Sequence, residues 1–399
     1  MLLRFLFTLP LALLSAIPPK VALPAVRTVS PAVRSVLPVV PSIPTRPDTT
    51  TDTTFYITNR SRHGGAFDRA AAQSLEFGYV ISRFIEQAPK SSSDRLFGKL
   101  SSQITDTVRL SRDQFVTQLR AADHRDSTKT PGAGPVVYVH GYATSFGRGV
   151  SQAAEIAHRG RAPNPFVVFS WPAHKVFAVW PSVHALVSRA YRQDSASAAH
   201  SGSAFLDALN VVFAAAPSRS VTVLGHSMGA QIVSEALSAP SSVRDSLKVA
   251  PLYALVLFAA DISAERFRDS LAAPLALVAQ RRVMYASGSD RLLAISHLVN
   301  HGKRAGQVGA GGLPADFEYV DVTNGRLSSG GVRGFIDPHH AMRYAGSALY
   351  DFFGVLRGLP AGCRVTEGIA DRATDGSWRL TRAAIPDSVA KCTVLPHGS

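Results

Sequence analysis

Gly225-His226-Ser227-Met228-Gly229 sets a serine between two glycines, each two positions away. An alcohol in that pattern can act as a nucleophile if a base takes its proton and a carboxylate orients the base. The run VTVL before Gly225 is apolar and β-branched, and AQIVSEALSA after Gly229 has helical spacing. A strand that ends in a sharp turn and re-enters as a helix is the setting of a nucleophile elbow. Such a turn lifts the Ser227 hydroxyl above the sheet edge, while the glycines let the strand and helix backbones come close. The Met228 amide, at the helix start, then faces a developing oxyanion. The five-residue pattern alone is cheap, because roughly one chain in several of this length holds one by chance. Its strand and helix context makes it informative.

A second oxyanion donor is expected after VVYVH, where His140-Gly141 lets the chain turn and the amide of Tyr142 or Ala143 can face the same point. His140 itself reads as a buried structural histidine, since it precedes the serine and this arrangement runs serine, acid, histidine. The favoured acid is Asp290, at the end of YASGSD, one βα unit beyond Asp261. Asp261 reads instead as a helix N-cap, with Ser263 competing for that position. The base is expected on the loop GFIDPHHAMRY, with His340 slightly preferred to His339 and Asp337-Pro338 capping the helix that follows. His297 and His301, four apart in HLVNH, could share a helix face. No glutamate accompanies them, so no metal site is expected. Trp171, Pro172 and His174 follow a strand and could line the site mouth, though core packing is the more ordinary role. Asp194, in YRQDSA, is expected to cap a helix or pair with Arg192.

The elements that would carry these residues alternate. Strands are expected at TTFYITNR (53–60), EFGYVISRF (76–84), Val136 to Val139, PFVVFSWP (165–172), SVTVL, PLYALVLFAAD (251–261), RRVMYASGSD (281–290) and DFEYVDVT (316–323). Helices are expected over 112–123, 151–160, about 188–215, 230–239, the ERFRDSLAAPLALVAQ segment and 340–358. Alternation of this kind implies βαβ units and a doubly wound, mostly parallel sheet with flanking helices. The segment Ala173 to Ser203 is the best candidate for a cover over the site. The short connection from Pro240 to Ala250 leaves no room for a cap domain.

The chain has 399 residues, 46% hydrophobic and 18% charged, with a formal charge of +14. That balance suits one large globular domain with appendages. The basic residues are scattered, so specific nucleic-acid binding is not expected, whereas association with anionic surfaces is compatible. Residues 1–22 resemble a signal peptide: Arg4 precedes an apolar run too short for a membrane span. Export, to the periplasm or medium or with the N-terminus as a tether, is the expectation. Residues 23–52 form a proline-rich linker. The main domain is expected over 53–358, and 359–399 as an extension leaning on it. Cys363 and Cys392, the two cysteines of the chain, would pair in an oxidising compartment. Closing that loop would stabilise the tail by roughly 3 kcal/mol.

In order, FYITNR, VVYVHGY with Phe146, VVFSWP, YRQDSAS, VLGHSMGA, FAAD, MYASGSDRLLA and a late histidine resemble bacterial alpha/beta hydrolases grouped as an esterase/lipase-like domain of unknown function. The similarity runs from about Thr53 to Arg357. It implies an alpha/beta-hydrolase fold with Ser227 as nucleophile, Asp290 as acid and a terminal histidine as base. The family pattern has one histidine followed by Ser and an aromatic; here His339-His340-Ala341-Met342 leaves two. The expected activity is a serine hydrolase acting on a small-molecule or lipid ester through an acyl-enzyme, without a cofactor. The alternatives are an acyltransferase or amidase using the same residues, and a non-catalytic, exported, surface-binding module on a hydrolase fold.

Overall fold

The structure is a computed structural model and describes residues 48–87, 99–126, 133–162, 164–173, 183–217, 220–239, 252–309, 314–324, 339 and 346–381. Its parallel core is built from β4 (Ala133–Val139), β5 (Phe166–Ser170), β6 (Ser220–His226), β7 (Leu252–Phe258), β8 (Ala279–Ala286) and β9 (Glu318–Asp321). The strands β1 (Asp48–His63), β2 (Ala66–Gln87) and β3 (Lys99–Leu110) extend one side. The short strands β10 (Ala370–Arg372) and β11 (Trp378–Leu380) extend the other. Among the described residues the strands form one 11-stranded sheet in the order β10-β11-β9-β8-β7-β6-β4-β5-β1-β2-β3.

Strand residues alternate between two buried faces. Val137, Val139, Val223, Leu255 and Leu257 point into one apolar layer, beneath α1 (Arg112–Asp126), α4 (Gly202–Ala215) and α5 (Met228–Leu237). Val136, Tyr138, Leu224, Val256 and Tyr285 point into the other. That second layer is closed by α2 (Phe146–Arg159) and by α7 (Gly346–Leu356). Because both faces are covered, these strands read in the sequence as continuous apolar runs. Two further helices bear on the site: α3 (Val183–His200) and α6 (Arg291–Asn300).

The alternation of strands and helices predicts the parallel core, and the structure departs from expectation at its margins. The first strand starts at Asp48, before the expected domain boundary at 53. Its partner β2 runs from Ala66 to Gln87, and β3 had no expected counterpart. The C-terminal extension does more than lean on the domain: β11 pairs in parallel with β9, and β10 pairs antiparallel with β11. Arg364 clamps this segment, meeting Asp351 at 2.7 and 3.0 Å and Glu318 at 2.7 Å. Cys363 is buried beside it, while Cys392, residues 1–47 and the expected capping pair Asp337-Pro338 lie outside the described residues.

The strand order reverses at β4, which sends its chain through α2 to β5 on one side and has β6 on the other. At such a switch point the loops leaving the carboxyl ends of two neighbouring strands separate and open a crevice. The loops after β4 and β6 carry Tyr142 and Ser227.

Candidate active site

Ser227 follows the last residue of β6 and is the N-cap of α5, with φ 54° and ψ −122°. A side chain at positive φ is strained by about 1–3 kcal/mol and persists only where its surroundings hold it. They do here: the Ser227 N–H donates to the Phe258 carbonyl at 2.9 Å, and the Ser227 carbonyl accepts from Ala230 and Asp261 at 3.0 and 3.2 Å. Close packing explains both glycines. A Cβ on Gly229 would lie 2.3 Å from the Val139 carbonyl oxygen, and one on Gly225 2.8 Å from the Ala230 Cα. Strand, turn and helix are thus where the pattern predicts them.

Asp290 and one histidine of the doublet meet across 49 residues of sequence. The His339 Nδ1–H donates to Asp290 Oδ2 at 2.8 Å, with both side chains buried. Asp290 is also the N-cap of α6, accepting the Leu293 amide on Oδ1 at 2.9 Å. One carboxylate oxygen therefore holds the helix and the other holds the imidazole. His226, the neighbour of Ser227, donates from Nε2 to the His339 carbonyl at 2.9 Å, with the two rings 4.9 Å apart. Burial disfavours the His339 imidazolium, but the Asp290 charge and hydrogen bond, with Asp261 adding its charge, raise its pKa above 6.5. With Nδ1 donating to Asp290, the tautomer is the one whose Nε2 carries the lone pair. His339 is the member of the doublet that meets Asp290, and His340 lies outside the described residues. The sequence could not separate neighbours that differ only in which way the loop turns.

Asp261 is drawn elsewhere. It accepts from Arg304 Nε and the Ser296 hydroxyl on Oδ1 at 2.7 and 2.6 Å, and from the Tyr191 hydroxyl on Oδ2 at 3.0 Å. Ser263 takes the helix N-cap, accepting the Arg266 amide. His297 lies on α6, but His301 is its left-handed C-cap at φ 52°, so the two histidines do not share a helix face.

The loop after β4 runs across the elbow. A Cβ on Gly141 would stand 2.8 Å from the Ser227 Cβ, so the peptide leading into Tyr142 lies directly over the serine. The side chains beneath this loop are those whose roles the sequence did not disclose. His140 is fully buried, as expected, and donates from Nδ1 to the Gly141 carbonyl at 3.0 Å. Burial first, and the nearby Arg60 charge second, push its pKa down to about 3, so it stays neutral. Trp171 is core, stacked on His140, and its Nε1–H donates to the His140 carbonyl at 2.7 Å. His174 lies outside the described residues, as does the 174–182 stretch of the expected cover; the rest of that segment is largely α3.

Asp194 neither caps a helix nor meets solvent. It is fully buried on α3 and accepts the Ala143 amide at 3.0 Å. Arg60, also buried, donates to the Thr144 carbonyl at 2.7 Å and to the Ser170 hydroxyl at 2.9 Å. Desolvation lowers its pKa to about 10 against the opposing Asp194 charge, which leaves it a cation at neutral pH. A register shift between Thr58 and Arg60 in the β1–β2 ladder accompanies this inward placement. The sequence signal was the arginine of FYITNR itself, a charge directly after an apolar strand.

No group of three or more potential ligands able to hold a metal ion occurs among the described residues. No curated protein matches the chain. An acetylxylan esterase structure is 15% identical, covering 57% of this chain and 99% of its own, with a TM-score of 0.31. A predicted CIB-like hydrolase from Thermoplasma acidophilum is 10% identical, covering 77% of this chain and 99% of its own, with a TM-score of 0.28. A family model described as an alpha/beta hydrolase of unknown function (DUF900) matches residues 120–324, just over half of the chain. That span holds the elbow, Asp290 and the loop after β4, and the chain belongs to this alpha/beta-hydrolase family.

Proposed function

We propose that the protein is a serine hydrolase that cleaves carboxylic esters through an acyl-enzyme. The observation that carries this reading is the His339–Asp290 bond of 2.8 Å, formed beside a strained Ser227 whose preceding residue holds the His339 backbone. Ser227 Oγ attacks the ester carbonyl carbon while His339 Nε2 takes the hydroxyl proton. Asp290 keeps the imidazole in the right tautomer and stabilises the imidazolium. The Met228 and Tyr142 amides receive the carbonyl oxygen as it becomes negative. When the tetrahedral adduct collapses, the C–O bond to the leaving alcohol breaks and His339 returns the proton to that oxygen. A water then gives its proton to His339 and adds to the acyl carbon. As this second adduct collapses, the bond from the acyl carbon to Ser227 Oγ breaks and His339 returns its proton to Oγ, which releases the carboxylic acid and restores Ser227. No step calls for a metal or cofactor.

The test is direct. The purified protein should react with a fluorophosphonate probe and hydrolyse short p-nitrophenyl esters, and Ser227→Ala should lose both. A Ser227→Ala protein as active as its parent would refute the assignment. A panel of esters of graded acyl length would then define the substrate range.

A further inference from the structure

An oxyanion amide works only if it already points at the place where charge will develop. Around Ser227 this requirement falls on the short loop Gly141-Tyr142-Ala143-Thr144, which by itself has no reason to adopt one conformation. Its peptide groups are nevertheless held one after another. The His140 carbonyl takes the Trp171 indole N–H at 2.7 Å, and the Gly141 carbonyl takes the His140 Nδ1–H at 3.0 Å. The Tyr142 carbonyl takes the Thr144 hydroxyl at 3.1 Å, and the Thr144 carbonyl takes the Arg60 guanidinium at 2.7 Å.

In a trans peptide the C=O and N–H point opposite ways. The bond from His140 to the Gly141 carbonyl therefore turns the N–H of the same peptide, that of Tyr142, away from His140. The chain passes Ser227 at this same point, since a Cβ added to Gly141 would stand 2.8 Å from the Ser227 Cβ. The next peptide must turn sharply, and Ala143 does so at φ 53°, a conformation that an alanine holds only under constraint. The Ala143 N–H is the one that the buried Asp194 carboxylate accepts. It is thus engaged below the loop, while the Tyr142 N–H is left for the site above.

We propose that Asp194 is a positioning residue for this reaction: with Arg60 and His140 it fixes the loop from Gly141 to Thr144 so that the Tyr142 amide serves as the second oxyanion donor. Burial gives the arrangement its rigidity. A carboxylate and a guanidinium out of water each need full complements of partners, so the loop cannot shift without leaving a charge unsatisfied. The inference rests on the serine-hydrolase reading for its catalytic consequence, but its structural part stands apart from it.

The experiment compares Asp194→Ala and Asp194→Asn with the parent. Two readouts apply: kcat and KM per fluorophosphonate-titrated site, and hydrogen exchange of the peptide covering residues 141–146. Loss of one oxyanion donor lowers kcat by about 10²–10³. Asp194→Ala should therefore lose roughly tenfold to a hundredfold in kcat, with KM within twofold and exchange of the loop at least tenfold faster. An asparagine can still accept the Ala143 N–H through its carbonyl, so Asp194→Asn should recover most of both. A merely structural role would lower the yield of titratable sites and leave kcat per site unchanged, which overturns the proposal. It is equally overturned if exchange of the loop does not change, or if Asp194→Asn is as impaired as Asp194→Ala. A parent protein that the probe never labels would refute the serine-hydrolase reading instead, and the exchange comparison would still decide whether Asp194 anchors the loop.

Discussion

Replacing Gly141 by alanine tests the juxtaposition on which the site depends. The new methyl carbon would fall 2.8 Å from the Ser227 Cβ, and 3.2 Å from both the His226 Nδ1 and the His226 carbonyl oxygen. Carbon atoms in contact settle at about 3.5–4.0 Å, so the loop and the elbow must separate by roughly 1 Å. Neither side yields easily, because the Ser227 backbone is tied to Phe258, Ala230 and Asp261 and the loop is tied to His140 and Asp194. Overpacking of this kind costs about 1–3 kcal/mol. In a domain of this size that corresponds to a Tm lower by about 2–4 °C per kcal/mol. A displacement of about 1 Å at a reacting centre can cost about 10²-fold in rate. The expectation is a protein that folds, melts several degrees lower and retains about one per cent of the parent kcat against p-nitrophenyl acetate. Gly147→Ala is the matched control. Its Cβ meets only Ile104 Cδ1 at 3.6 Å inside α2, so it should keep full activity and gain up to about 1 kcal/mol from helix propensity. Differential scanning calorimetry and titrated kcat values measure both. A Gly141→Ala enzyme within threefold of the parent kcat would refute the claim that this loop lies over the serine.

Other expectations follow from the same geometry. His339 must be neutral to accept a proton, and its pKa is raised above 6.5, so kcat/KM should fall as pH drops through a value higher than 6.5. A pH–rate profile whose acidic limb lies at 6 or below would contradict the Asp290 pairing. Asp290→Asn removes the charge that raises His339 while burial remains, so the limb should move to lower pH, and loss of the correct tautomer should reduce kcat by about 10⁴. At Gly229 an alanine Cβ would stand 2.3 and 2.5 Å from two backbone carbonyl oxygens. Gly229→Ala should therefore destabilise by about 3 kcal/mol or fail to accumulate, read by chemical denaturation. Arg364→Ala would leave the Asp351 carboxylate, buried on α7, without its guanidinium. Removing one partner of a buried pair costs about 3–5 kcal/mol, which denaturant titration would register as a lower midpoint.

The elbow at Ser227 was legible in the chain because its signals are local. VTVL, Gly225, Ser227 and Gly229 specify strand, bend and helix within ten residues, and backbone sterics leave few other conformations for them. The apolar runs of β4 through β8 were legible for a similar reason: a parallel strand covered on both faces has no polar alternation to confuse it. By contrast, β3 and most of β2 went unread. Their sequences, such as KLSSQITDTVRL, are polar on the solvent side and take strand form through pairing, β2 with β1 and β3 with β2. The tail was underestimated for the same cause. ADR and WRL are three-residue strands that exist because β9 presents an edge and Arg364 ties the segment to Asp351 and Glu318.

What the sequence by itself determined is a set of candidate groups and their order: a serine at a constrained bend, a carboxylate ending a later strand, and a histidine beyond it. Which histidine meets that carboxylate, and what holds the loop after β4, only the tertiary structure decided. His339 and His340 have equal chemistry and adjacent positions; the choice between them lies in a hydrogen bond to a carboxylate 49 residues away. Arg60, His140 and Asp194 come from three separate elements, and each alone reads as an ordinary strand or helix residue. Their meaning arises when folding removes them from water together, because buried charges and a neutral imidazole must then satisfy one another and the loop between them.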